Sequence, residues 1–168
     1  VLTIMIQGCF LQNGGNMGSI KKVILEQGGL AGSEIIIIDE NMNIKHQYAR
    51  KGKQNTQQLY FGTIIPSDTI KQEMKQRIIG STPLRLKSKY DSFIKIRDGD
   101  VWTFTFFYGN QNKSVHCNNS MPEELSTLKQ FLYDEIINKN IEQLQASEKE
   151  LPNLPGKYHT ILDLDNNK

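Results

Sequence analysis

From Val101 to Tyr108 the chain reads Val-Trp-Thr-Phe-Thr-Phe-Phe-Tyr, with Trp102, Phe104, Phe106 and Tyr108 at every second position. A period of two belongs to a strand, whose successive side chains point to opposite faces; a helix would scatter these four rings around its axis. The segment therefore predicts a strand with one aromatic face in a core. The other face, carrying Thr103 and Thr105, stays partly wet. Asp98-Gly99 just upstream suits a tight hairpin turn leading out of a strand over Phe93 to Arg97. Gly109 to Asn112 turns the chain again, and Lys113 to Cys117 closes a second hairpin.

The rest of the chain has to supply partners for that strand. Ile20 to Gln27 alternates Val23 and Leu25 with Lys22, Ile24 and Glu26 and reads as a strand. Ser33 to Asp39 contains the unbroken run Ile35 to Ile38, the pattern of a strand covered on both faces or lying near a sheet centre. After the turn-rich Asp39 to Asn43, Ile44 to Arg50 resumes as a strand, and Arg50 to Gln58 reads as a polar loop. Two helices are expected. One runs from Ser67 to Gly80, with Ile70, Met74, Arg77 and Ile78 on its buried side. The other follows a capping box at Ser120 to Glu123 and carries the stripe Leu125, Leu128, Leu132, Ile136 and Leu144 to about Glu148. Pro152 and Pro155 open an extended tail, in which Tyr158 to Leu164 suits a short edge strand. The order predicts an α+β domain: an antiparallel β-sheet of about four to six strands with two helices packed on one face.

At 168 residues and a formal charge of +2, with its Lys and Arg dispersed, the chain gives no electrostatic argument for nucleic acid. No apolar stretch is long enough to span a bilayer as a helix. The N-terminal Val1 to Ile6 run admits two readings, an extra strand or the stump of an export signal. Ile6-Gln7-Gly8-Cys9 resembles a bacterial lipobox, with Gln7 in place of the usual small residue, and the Asn- and Gly-rich Gln12 to Ser19 suits a flexible tether. On the second reading residues 1–9 are a truncated lipoprotein-type signal with Cys9 as the lipidation site and the membrane as a partner. Residues 10–19 are then the tether, 20–150 one α+β domain and 151–168 an extended tail. That reading places the protein at a bacterial cell envelope. If the N-terminus is no signal, the location is cytoplasmic.

Catalytic chemistry is sparsely represented. His46, His116 and His159 lie in separate elements with no second His at helical ligand spacing and no H-E-x-x-H motif, so neither a catalytic residue nor a metal or other cofactor site is expected. His116 and Cys117 are adjacent on a strand and point to opposite faces, which denies them a nucleophile–base pairing. Asp39, Glu40, Asp163 and Asp165 fall in turns and tails where solvated charge is the ordinary state. Cys9 and Cys117 could form a disulfide in an oxidising compartment, but two isolated cysteines are more often unpaired.

One feature stays unassigned: Gly28-Gly29-Leu30-Ala31-Gly32, three glycines in five residues between two strands. Such a cluster implies positive φ angles or a close approach of backbone. It is either a bulged hairpin turn or an exposed loop carrying one apolar residue, Leu30, on backbone able to lie flat against a partner. A strand ending in this sequence and followed by a second strand resembles the emfourin family, whose founding member inhibits protealysin, a thermolysin-like zinc metalloprotease. Further similarities are Asp91-x-Phe93 ahead of a hairpin, the strand Trp102 to Phe107, and the entry Met121-Pro122-x-x-Leu125 into a closing helix with Leu128 and Leu132. The resemblance spans about Ile20 to Ile137. Leu30 stands where the family usually has Phe, Gln54 to Thr63 reads as an insertion, and the tail after Asn138 has no counterpart.

The resemblance implies a non-enzymatic domain that inhibits a thermolysin-like peptidase. Leu30 would be its insertion point, with Gly28, Gly29, Ala31 and Gly32 letting the main chain approach. The alternative is an envelope lipoprotein with a structural or ligand-binding role and no peptidase partner, using the sheet face that carries Thr103 and Thr105.

Overall fold

The computed structural model describes residues 19–29, 32–51, 56–93, 101–140 and 149–152. They form an α+β fold around one sheet of eight strands in the order β5-β7-β6-β1-β2-β3-β4-β8, more strands than the four to six expected. The strands are β1 Ile20–Gly29, β2 Gly32–Asp39, β3 Ile44–Lys51, β4 Thr56–Ile64, β5 Lys89–Asp91, β6 Val101–Tyr108, β7 Gln111–Asn118 and β8 Lys149–Pro152. Every pairing is antiparallel except β5 with β7. Helices α1 Asp68–Gly80 and α2 Glu123–Phe131 pack on one face, and π-helical turns over Leu132–Ile137 continue α2.

The aromatic alternation is realised as read. Trp102, Phe104, Phe106 and Tyr108 are buried on the helix side, while Thr103 and Thr105 are half-exposed on the other. In register beside them on β1 lie Val23 and Leu25, opposite Phe106 and Phe104, and beyond these Ile38 and Ile36 of β2. From above, Met74 and Ile78 of α1 and Leu125, Leu128, Phe131, Leu132, Ile136 and Ile137 close the core. Arg77 joins the two helices: its guanidinium lies 4.5 Å from the Phe131 ring centroid and pairs with Glu73 one turn back at 2.7 Å. The Ile run is buried on both faces. Ile36 and Ile38 join the main core; Ile35 and Ile37 form a small second cluster with Ile24 on the helix-free face.

Turn chemistry accounts for most chain reversals. Asp39 Oδ1 accepts from the amides of Asn41 and Asn43, both at 2.9 Å, and Met42 takes a left-handed φ of 61° between them. Gly109, with φ 54°, supplies the positive dihedral that the two-residue β6–β7 turn demands. Helix α1 starts as expected, with Ser67 Oγ accepting from the Ile70 amide.

Four expectations change. The polar stretch from Arg50 to Gln58 is not a loop throughout: β3 extends to Lys51 and β4 begins at Thr56. Leu59-Tyr60-Phe61 breaks strict alternation, which hid the strand. The capping box does not form, because the N-cap of α2 is Pro122 with no side-chain cap bond. The α-helix stops at Phe131 and yields to π and then 3-10 geometry through Asn140. A short parallel edge strand, β5, appears where no strand was read. The Phe93 to Arg97 strand beyond Phe93, the Asp98-Gly99 turn, Leu144 and the Tyr158 to Leu164 strand lie outside the described residues.

Phe104, fully buried and in the sheet's middle, reports on this core. Phe104→Ala is expected to lower unfolding free energy by about 3–5 kcal/mol in urea titrations monitored by circular dichroism. A loss below about 1 kcal/mol would mean that the aromatic face is not packed as described.

Candidate functional site

The β1–β2 ladder runs unbroken from Lys22 opposite Asp39 to Gly29 opposite Gly32, leaving two positions, 30 and 31, between the paired ends. Leu30 and Ala31 themselves, like Cys9, lie outside the described residues. No bulge interrupts this end; the irregularity in β1 falls between Ile20 and Lys22, against β6. The glycine expectation is also corrected at Gly28. That residue has an ordinary strand φ, is exposed, and has open space where a Cβ would stand. It is held by Ser33 on one side and Val101 on the other. Among the described residues nothing excludes a side chain at Gly28.

One step back from the glycines, polar side chains join the core. In register across the sheet stand Cys117, Trp102, Gln27, Glu34 and Tyr48. Glu34 is only 8% exposed, and its carboxylate is bonded from two elements. His46 Nε2 on β3 lies 2.5 Å from Oε1, and the Tyr133 hydroxyl in the π-helical turns donates to Oε2. A buried carboxylate without such partners costs several kcal/mol, so the cluster is a matched set. Trp102 packs edge-on against Tyr133 with centroids 6.3 Å apart, and the Lys129 ammonium sits 4.8 Å over the Trp102 ring. The buried Trp102 Nε1 has no hydrogen-bond partner among the described residues.

Sequence reasoning dismissed His46 because no carboxylate sits three or four residues away. Its partner is twelve residues distant on the neighbouring strand, and Tyr133 is ninety-nine from Glu34. A polar residue opening the Ile run was the signal: Glu34 alternates with Ile36 and Ile38 and so faces the core.

His116 and Cys117 part as expected. Cys117 is a buried free thiol on the core face, whereas His116 Nδ1 meets Thr103 Oγ1 at 3.0 Å on the opposite face. Burial pushes the Cys117 thiol up to about 11. The Asp39 carboxylate serves its turn, and the Lys89 ammonium beside Asp91 holds that carboxyl below its usual range. His159, Asp163 and Asp165 lie outside the described residues. Among the described residues no group of three or more His, Cys, Asp or Glu is placed to hold a metal ion, and no helix is long and apolar enough to cross a membrane. No protein-family model matches the chain, and no curated protein matches it.

With a pKa of about 11, the Cys117 thiol is thiolate in only about one molecule in a thousand at pH 8. In a Cys9→Ser background, folded protein is expected to stay unreactive to Ellman's reagent at pH 8 and to release one thiol on denaturation. Rapid reaction without denaturant would show that Cys117 is neither buried nor raised.

Proposed function

We propose that this chain is a non-enzymatic, emfourin-like binding domain that inhibits a thermolysin-like metalloprotease with the glycine end of its β1–β2 hairpin. The observation that carries the reading is Gly28. A strand normally gains by having a side chain at a paired position, because glycine is entropically costly in an extended ladder. Gly28 is paired on both sides and exposed, and no described residue crowds the place of a Cβ, so the described part of the fold gives no reason for the missing one. An external surface laid against the main chain gives one.

Peptidase clefts pocket one or two side chains of a closely apposed segment. The sheet already pairs Gly28 with Ser33 and Val101 and Gly32 with Gly29 and Arg50, so the glycines would serve by leaving the sheet surface bare for close approach, with Leu30 and Ala31 as the apolar insertion. The motif Ile6-Gln7-Gly8-Cys9 and the stretch Gln12 to Ser19 support a second part of the proposal. A lipid on Cys9 holds the domain at a bacterial envelope, where it meets secreted peptidases.

Titration of thermolysin with the full chain, read with a fluorogenic peptide, is the test. Tight stoichiometric inhibition is expected, weakened about thirtyfold or more by Leu30→Asp, the loss typical of a central anchor residue. Absence of inhibition by the wild type, or equal inhibition by both proteins, would overturn the proposal.

A further inference from the structure

We infer that the Tyr133–Glu34–His46 chain is a positioning device for the hairpin end, fixing the direction in which the glycines are offered to a partner. The inference deepens the binding role proposed above and rests on it only for its consequence, since the clamp is a property of the free protein.

The hairpin end has few side chains of its own to orient it. Gly28, Gly29 and Gly32 carry none to pack, and beyond Gln27 and Glu34 Ser33 is the one described residue of the two strands that adds a side chain. Main-chain pairing reaches this end from both flanks, Val101 of β6 beside Gly28 and Ala49 and Arg50 of β3 beside Ser33 and Gly32, so what side chains can add is set at its base. The first residue of β2 with a core-facing side chain is Glu34, two positions from Gly32. It is tied sideways to β3 through His46 and upward to the π-helical turns through Tyr133. Glu34 thus fixes the hairpin's base in two directions.

Stability alone does not account for the choice of groups. A buried ionic or polar cluster is commonly no more stabilising than apolar residues of equal volume, and the adjoining row of Leu25, Ile36 and Phe104 shows that the apolar solution is available here. What hydrogen bonds add is direction: both oxygens of one carboxylate are claimed, so the side chain has one orientation. The helix also departs from α geometry at Leu132, the residue before Tyr133. A π turn has a poorer hydrogen-bond ladder than an α turn and persists where side-chain contacts repay it. Here it keeps Leu132, Ile136 and Ile137 buried while the Tyr133 hydroxyl reaches Glu34.

Amide hydrogen exchange on the full chain, without any partner, reads the clamp directly. In Tyr133→Phe, which removes one hydroxyl and keeps the ring, the amides of Gln27, Gly28, Ser33 and Glu34 are expected to exchange about tenfold faster or more. That is the opening expected from losing one charge-assisted hydrogen bond. Amides of Thr103, Thr105, Ser114 and His116 in the β6–β7 hairpin should stay within about twofold of wild type. His46→Leu should reproduce the local loosening, and His46→Gln, which keeps a donor near the Nε2 position, should restore protection. Uniform acceleration across both hairpins, or unchanged exchange at the glycine end, would overturn the inference. If Tyr133→Phe loosens the end but wild type leaves thermolysin unaffected, the clamp stands and the peptidase reading falls. If wild type inhibits and Tyr133→Phe inhibits equally with a loosened end, the clamp has no part in binding.

Discussion

The antiparallel pairing of β1 with β6 joins two halves that are far apart in sequence. On one side is the meander β1 to β4, on the other the β6–β7 hairpin with the short edge strand β5. The register sets Leu25 against Phe104 and Val23 against Phe106, so the aliphatic face of one half continues the aromatic face of the other. A slip of one residue would turn Lys22, Ile24 and Glu26 toward the helices and the apolar set toward solvent. The amphipathic stripes of α1 and α2 then have one continuous apolar surface to cover, with Arg77 and Phe131 locking helix to helix. The same pairing carries β6 alongside the glycine end, where Val101 flanks Gly28.

Much of this was legible because it was written in periods. The two-residue repeat of Trp102 to Tyr108, the Ile run and the stripe Leu125, Leu128, Leu132 and Ile136 each dictate which face is buried, and each is realised. The losses come where local pattern and tertiary pairing diverge. β4 opens with polar residues and then places three apolar ones in sequence, so its strand character comes from pairing with β3. β5 is three residues long and owes its existence to β7. Pro122 preempts the capping box because its backbone already has the extended conformation that an N-cap requires.

The candidate site divides along the same line. The glycines were visible in the sequence, since three in five residues between strands is conspicuous. At Gly28 neither a positive φ nor crowding by a described residue calls for glycine. The Glu34 cluster was invisible because its three members come from β2, β3 and the π-helical turns, and no local spacing records such a meeting. The core cluster continues past the row of Leu25, Ile36 and Phe104 into Trp102 and Cys117, and polar groups enter it beside them, at His46 opposite Ile36 and at Gln27 and Glu34 in the row nearest the glycines.

The central claim is that this end, and not the helix-free face with Thr103 and Thr105, is the binding surface. Amide chemical-shift mapping of the isotopically labelled full chain during titration with thermolysin tests it most directly. The account predicts that the largest perturbations fall on Gly28, Gly29, Gly32 and Ser33, with Thr103, Thr105, Ser114 and His116 unmoved. Perturbations centred on those last four residues, or none anywhere at saturating peptidase, would contradict it.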